Sequence, residues 1–396
     1  MTPGQPVDPV TQRGATVRTR IRTVLLILAL SALAALGAEG TARLFSRWRT
    51  GQWPVTESVR VAAALERTTR LFRNHPYLNT TAREGAHLEH DGRDVAFNAL
   101  GYRSPPRSER KPEDTVRIVC AGGSTTFDWL ADSDADAWPS LVEQRIRGQG
   151  QAAEVWNSGL PGWTSLENLI ALSIRDVNLR PDLVVLHQGI NDLQPAAHVP
   201  FSRQYEPFHA DVARQSFGLT VWGARPEAPP WYERSILVER GREALFGPRH
   251  IWPPTAALST LPRLSRIPDE AVAVFERNVR SFIEVARAHG AHVMLVTQVI
   301  RLRRRTPDAD AKYVELWIPG LRASAAVTEL ERLNDVLRRV AATEQVSLAD
   351  AARDIKWKDR DFGDPLHYSF NGSHKLAVYL GDQALSILTA NRNRAP

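Results

Sequence analysis

Short apolar runs that stop at glycine or polar residues alternate with longer segments of helical periodicity, and this alternation constrains the fold more than any other feature of the chain. Val116–Ala121 runs into Gly122-Gly123, Asp182–His187 into Gln188-Gly189, and Ala291–Thr297 forms a third run, with weaker ones at Ala153–Trp156 and Val346–Ala349. Between and after them, helical patterns cover Ala137–Gly148, Leu166–Leu179, Asp269–His289, Thr328–Thr343 and a last stretch from about Gly372. Buried strands of this length separated by amphipathic helices predict a parallel sheet with helices on both faces. In such a sheet the working loops lie beyond the carboxyl ends of the strands.

Four segments supply chemistry there. They are Gly122-Gly123-Ser124-Thr125-Thr126, Asn157-Ser158-Gly159-Leu160-Pro161-Gly162, Gly189-Ile190-Asn191-Asp192 and Asp364-Pro365-Leu366-His367. A serine hydroxyl is a weak nucleophile at neutral pH. It needs a base within hydrogen-bond reach, and the base needs a partner that fixes its tautomer. Ser124 suits the first role, His367 the second and Asp364 the third, because a spacing of three brings Asp364 and His367 to one side of a turn. The tetrahedral intermediate of acyl transfer also needs preorganised donors. The candidates are the backbone N–H groups of Ser124 and Gly162 and the side-chain amide of Asn191.

In order and spacing these segments resemble the blocks of the SGNH hydrolases, the GDSL esterase/lipase superfamily. The resemblance covers Val116 to the C-terminus, and Asn98-Ala-Leu-Gly101-Tyr-Arg103 resembles the lead-in of membrane-anchored members. It implies a three-layer α/β/α, flavodoxin-like fold and a serine esterase that works through an acyl-enzyme on Ser124. The first block departs from the family's Gly-Asp-Ser, since Gly123 replaces the aspartate, which leaves the geometry of the serine loop open. The second block offers two glycines, Gly159 and Gly162. Gly162 is preferred because Gly-Trp-Thr-Ser matches the family pattern better.

Other residues near these blocks carry two readings each. Trp163 and His187 are candidate substrate contacts, weighed against packed structural roles, and Gln298 is a candidate cleft residue for substrate binding; an indole face suits a sugar ring. Arg301-Leu-Arg-Arg-Arg305 could attract an anionic polymer or lie on a solvated loop. Cys120 is the only cysteine, so no intramolecular disulfide can form, and its place in the first apolar run makes it a core residue. No metal site is expected, because the histidines lack zinc-ligand spacing, and no cofactor is implied.

The formal net charge of +6 raises the question of nucleic acid, but its location answers it. Residues 1–50 hold seven arginines against Asp8 and Glu39, which leaves only +1 on the remainder. A nucleic-acid partner is therefore rejected. Those arginines flank the apolar run Thr23–Ala38, and two readings remain, a retained signal anchor or a cleaved signal peptide. The retained anchor is preferred, with residues 1–22 cytoplasmic, 23–42 spanning the membrane and the catalytic domain extracytoplasmic. Residues 43–115 are then a stalk and lead-in, and 116–396 the hydrolase domain. Within it, 194–268 is read as a cap-like insertion with short helices near Phe208–Ser216 and Trp231–Phe246. A structureless loop of that length is unlikely in a compact domain.

The function expected is hydrolysis of an O-acetyl or other short acyl ester on a cell-envelope or exported polysaccharide. The same site could serve a polysaccharide O-acyltransferase. A non-catalytic polysaccharide-binding or assembly protein is the third reading.

Overall fold

The computed structural model describes residues 9–73, 75–78, 80–90, 92–206, 229–246, 262–302 and 307–392. Two compact units are present, one of Met1–Ala63 with Glu227–Arg249, the other of Ala64–Pro226 with His250–Pro396.

The second unit is built on five parallel strands: β1 (Val116–Gly122), β2 (Ala153–Asn157), β3 (Leu183–His187), β4 (His292–Val296) and β5 (Ser347–Ala349). Their order across the sheet is β2-β1-β3-β4-β5, with Val119 opposite Trp156 on one side and Val184 on the other. This is the flavodoxin-like order, whose direction of winding reverses between β1 and β3. All five expected strands are found, each within a few residues of its apolar run.

Period-two alternation sorts the strand side chains into two cores. Val184 and Leu186 of β3, with Val293 and Leu295 of β4, pack beneath the helices Ser165–Ile174, Asp269–Ala288 and Ala323–Glu344. Leu183 and Val185, with Met294 and Val296, face the helices Trp138–Gly148 and Phe370–Arg392. The helix Asp269–Ala288 shows why it docks: Ala271, Val274, Phe275, Val279, Phe282, Ile283 and Ala286 form one buried stripe at helical spacing. Cys120 is buried in the second core, where desolvation pushes its thiol upward.

Residues 43–115 were read as a stalk and a lead-in; from Ala64 onward they lie in the same compact unit as the sheet. Two short antiparallel pairs, Phe72–Arg73 with Thr81–Ala82 and His87–His90 with Arg93–Ala96, occupy this stretch. Phe72 and Phe97 pack with Phe127, Leu160 and Trp163 in a third apolar cluster. The sequence hid this because each strand has only two to four residues, too few for periodicity to register.

In the first unit, a helix runs from Pro9 to Thr50, and its stretch from Arg20 onward is long and apolar enough to cross a membrane. Of the expected insertion helices, the one near Trp231–Phe246 is present as a 3-10 turn, Trp231–Arg234, and a helix, Ile236–Phe246. The one near Phe208–Ser216 lies outside the described residues.

Candidate active site

Ser124 is separated from β1 by Gly123 alone and is the first residue of a single helical turn, Ser124–Phe127. Its N–H therefore has no intrahelical acceptor. The turn closes with Thr126 and Phe127 donating to Gly123 O and with Asp128 in the left-handed region at φ 64°. Arg103, fully buried, donates from one nitrogen to the carbonyls of both Phe127 and Asp128, each at 2.9 Å. It also pairs with Asp134 at 2.6 Å and lies over the Phe127 ring. The lead-in Asn98–Arg103 thus holds the C-terminal end of the serine turn. Asn98 Oδ1 accepts the N–H groups of Leu100 and Tyr102, and the Tyr102 hydroxyl donates to Asp176.

Asp364 and His367 come from the loop before the last helix. A bridge between Phe362 and Tyr368 and the Gly363 N–H to His367 O bond close this loop. His367 Nε2 lies 2.9 Å from Ser124 Oγ, while its Nδ1 lies 2.8 Å and 3.0 Å from the two oxygens of Asp364. Asp364 Oδ1 also accepts the N–H groups of Leu366 and His367, and the Tyr313 hydroxyl donates to Oδ2 at 3.0 Å. Burial pushes the Asp364 carboxyl up, but the His367 hydrogen bond and charge, with the Leu366 and Tyr313 bonds, outweigh it and hold it below its ordinary value. A histidine placed so can take the serine proton while the carboxylate fixes its tautomer.

The structure also brings the expected oxyanion donors to this end of the sheet. Asn191 Nδ2 donates to Trp163 O at 2.8 Å. An amide nitrogen carries two protons, so this bond orients the group and leaves one donor for another acceptor. Residues 160–163 form a turn closed by Trp163 N–H to Leu160 O, with Pro161 second and Gly162 third at φ 80°. Type II turns require this arrangement, which accounts for Pro-Gly in the sequence. Gly162 is exposed with open space beside its Cα. Gly159 differs: its N–H is taken by Asn157 Oδ1, and a Cβ there would lie 2.5 Å from Phe127 N. Of the two glycines, Gly159 has its N–H occupied and Gly162 is the exposed one. The departure at Gly123 also has a local cause. A Cβ at 123 would fall 2.2 Å from Asn191 Nδ2.

The three candidate substrate contacts are all buried. Trp163 is fully buried, with its indole N–H donating to Thr80 O at 2.9 Å. Its carbonyl, not its ring, serves the site. His187 is fully buried between Tyr368, stacked at 6.0 Å, and Trp138, edge-on at 6.0 Å. Burial alone pulls it down to about 3, so it stays neutral. Gln298 is 2% exposed and acts as a stitch. Its Oε1 accepts the Ile190 N–H at 2.7 Å, while its Nε2 donates to Thr125 Oγ1 at 2.9 Å and His187 O at 3.1 Å. It joins the end of β4 to both the serine turn and the Asn191 turn. Arg301 pairs with Asp310 at 3.1 Å; Arg303, Arg304 and Arg305 lie outside the described residues.

Two supporting residues escaped the sequence reading. Tyr313 lies on a helix, Asp308–Trp317, that was not anticipated, although Pro307 followed by acidic residues is a helix-start signal. Asp128 is buried and accepts the Trp138 N–H at 2.8 Å. Desolvation pushes its carboxyl up to about 6 against hydrogen bonds from Ser373 and Trp138 and the charges of Arg103 and His367. Asp192 is likewise raised to about 6 by burial, despite hydrogen bonds from Ser165 and Gln188.

The sequence profile of the GDSL-like lipase/acylhydrolase family matches residues 120–375, and the chain belongs to that family of ester-hydrolysing enzymes. Among solved structures it is similar to the lipase/acylhydrolase from Enterococcus faecalis, at 19% identity over 68% of this chain and 94% of that one, with a TM-score of 0.40. It is also similar to Est24, a carbohydrate acetylesterase from Sinorhizobium meliloti, at 14% identity over 69% and 99% of the two chains, TM-score 0.39. The acetyl xylan esterase AlAXEase aligns at 13% identity over 68% and 99%, TM-score 0.39. No match is found among curated proteins.

Proposed function

We propose that Ser124 is the nucleophile of this esterase, His367 its base and Asp364 the residue that orients the base. The observation that carries the proposal is the continuous path from Ser124 Oγ through His367 to Asp364, at 2.9 and 2.8 Å. His367 Nε2 takes the proton as Ser124 Oγ attacks the ester carbonyl, and returns it to the leaving alkoxide as the C–O bond breaks. Water then attacks the acyl-enzyme by the same route in reverse. The Ser124 and Gly162 N–H groups and the free N–H of Asn191 receive the developing oxyanion.

The substrate proposed is an O-acetyl or other short acyl ester on a cell-envelope or exported carbohydrate. It rests on family membership together with the apolar N-terminal helix, read as a retained signal anchor over 23–42 that keeps 1–22 cytoplasmic and the enzyme outside.

The test is mass-spectrometric mapping of a fluorophosphonate probe beside p-nitrophenyl acetate hydrolysis. Labelling at Ser124 that is lost in His367→Ala, with turnover lost in both Ser124→Ala and His367→Ala, supports the assignment. A folded protein that neither labels nor turns over points to the binding or assembly reading. Faster acetyl transfer to added oligosaccharide than to water would favour the acyltransferase.

A further inference from the structure

The compact unit of Met1–Ala63 with Glu227–Arg249 contains a surface that the ester chemistry does not use. Along the helix Pro9–Thr50, every side chain from Arg20 to Ala38 is exposed, including Leu25, Leu26, Leu28, Leu33 and Leu36 at about 60% or more. Coverage begins abruptly at Glu39. From there Glu39, Ala42, Arg43 and Ser46 are partly covered, a stripe at i, i+3, i+4, i+7 on one helix face. The protein therefore first touches this helix where the apolar run Thr23–Ala38 ends.

The contact at that level is specific. The Glu39 carboxylate accepts the N–H groups of Ile236 and Leu237 at 3.0 and 3.2 Å and the Ser235 hydroxyl at 2.8 Å. It thus satisfies the open N-terminus of the helix Ile236–Phe246. Arg43 donates to Arg234 O, Thr56 Oγ1 to Glu233 O at 2.8 Å, and the Glu57 N–H to Glu239 Oε1 at 2.6 Å.

At 100° per residue, Ala244, Leu237, Gly241, Leu245 and Val238 follow one another around about a third of the short helix. All five are exposed, with Val238 at 47% and Leu245 at 78%. Buried Ile236 and the bonded Glu239 lie on the other side. Exposed Trp231 and Tyr232 precede the helix, and the arginines of the stretch are Arg234, Arg240 and Arg242.

We propose that helix Ile236–Phe246, with Trp231, is an interfacial foot seated in the headgroup layer of the leaflet from which the N-terminal helix emerges. The occupant of its apolar stripe is the lipid surface. The anchor over 23–42 spans about 30 Å as a helix, matching the roughly 30 Å hydrocarbon core, so Glu39 falls in its last turn, at the leaflet boundary. A carboxylate there is expensive unless it is satisfied, and the backbone donors of Ser235–Leu237 satisfy it. Because the foot starts at that carboxylate, its exposed apolar stripe is delivered to the depth where amphipathic surface helices bind. Arg43, Arg47 and Arg49 sit just beyond the same boundary and suit anionic headgroups. The inference rests on the retained-anchor reading.

The single native cysteine is buried, so exposed positions can be labelled one at a time. Full-length chains carrying Val238→Cys, Leu245→Cys or, on the opposite face, Glu243→Cys are labelled with an environment-sensitive fluorophore. They are reconstituted in phosphatidylcholine/phosphatidylglycerol vesicles containing lipids with a shallow acyl nitroxide. Labels at 238 and 245 are expected to shift to the blue and to be quenched at least twofold more than the label at 243. Glu39→Gln should reduce that difference. If the protein floats with the vesicles while all three labels stay aqueous, the foot is wrong and the anchor stands. If the chain does not float, the anchor reading fails and takes the foot with it. A blue shift without nitroxide quenching would assign the stripe to a second copy or another protein and overturn the proposal.

Discussion

The Tyr313 hydroxyl and the His367 imidazole meet on the same oxygen, Asp364 Oδ2, at 3.0 and 2.8 Å. Asp364 therefore has its orientation fixed from two elements, the helix Asp308–Trp317 and its own loop. A carboxylate held below its ordinary value contributes stability above its unfolded pKa of 3.8 and loses it as pH falls through the lower folded value. Tyr313→Phe removes one of the bonds that hold it down. The expected results are a fall in kcat of about 3- to 10-fold, the scale of one ordinary hydrogen bond, and acid unfolding that begins at higher pH. Unchanged kcat with an unchanged acid transition would show that the tyrosine is a bystander.

The packing of Gly123 against Asn191 makes a sharper prediction. A methyl group at 123 would fall 2.2 Å from Nδ2, and the nearest relief is to rotate the Asn191 amide away. Gly123→Ala should fold, yet lose about 10²–10³ in kcat, the same as Asn191→Ala. The double variant should be no worse than either single one, because both remove one donor. Additive losses in steady-state kinetics would separate the two residues.

The sheet was legible because buried parallel strands leave continuous apolar runs, and Ser124 and Asn191 lie in the turns that follow β1 and β3. Its legibility ended where a side chain's direction is set by a distant segment. Trp163 follows an exposed glycine and reads as a platform for a sugar. Thr80 O, more than eighty residues earlier and just before a two-residue strand of no periodic signature, captures its indole and turns it inward. Gln298 reads as a cleft residue, since the sequence does not show that Thr125 and Ile190 converge on it. The 64–115 stretch was obscure for a related reason. Its stabilising contacts are a few aromatic pairs such as Phe72 with Phe127, not a periodic face.

Gln298 offers a test that separates these roles. Gln298→Ala leaves the buried Ile190 N–H and Thr125 hydroxyl without a partner, which costs about 1–3 kcal/mol for each group stranded. As a stitch, its loss should lower Tm by several degrees and reduce kcat with little change in KM. A substrate contact would behave the opposite way, raising KM at constant Tm. Thermal melts beside Michaelis–Menten curves distinguish the outcomes.

Asp128 couples the serine turn to pH. Burial raises its carboxyl to about 6 from 3.8, a displacement equivalent to about 3 kcal/mol. For a folded value above the unfolded one, the stabilising contribution is complete below 3.8, while the proton is held, and is lost as pH rises through about 6. Asp128→Asn never ionises, yet its Oδ1 can still accept the Trp138 N–H now held at 2.8 Å. The Tm of the variant minus that of the parent should therefore rise by several degrees between pH 4.5 and 7.5. A flat difference across that window would mean that Arg103 and His367 hold Asp128 ionised throughout. The turn bearing Ser124 would then be stabilised by a charge, not strained by one.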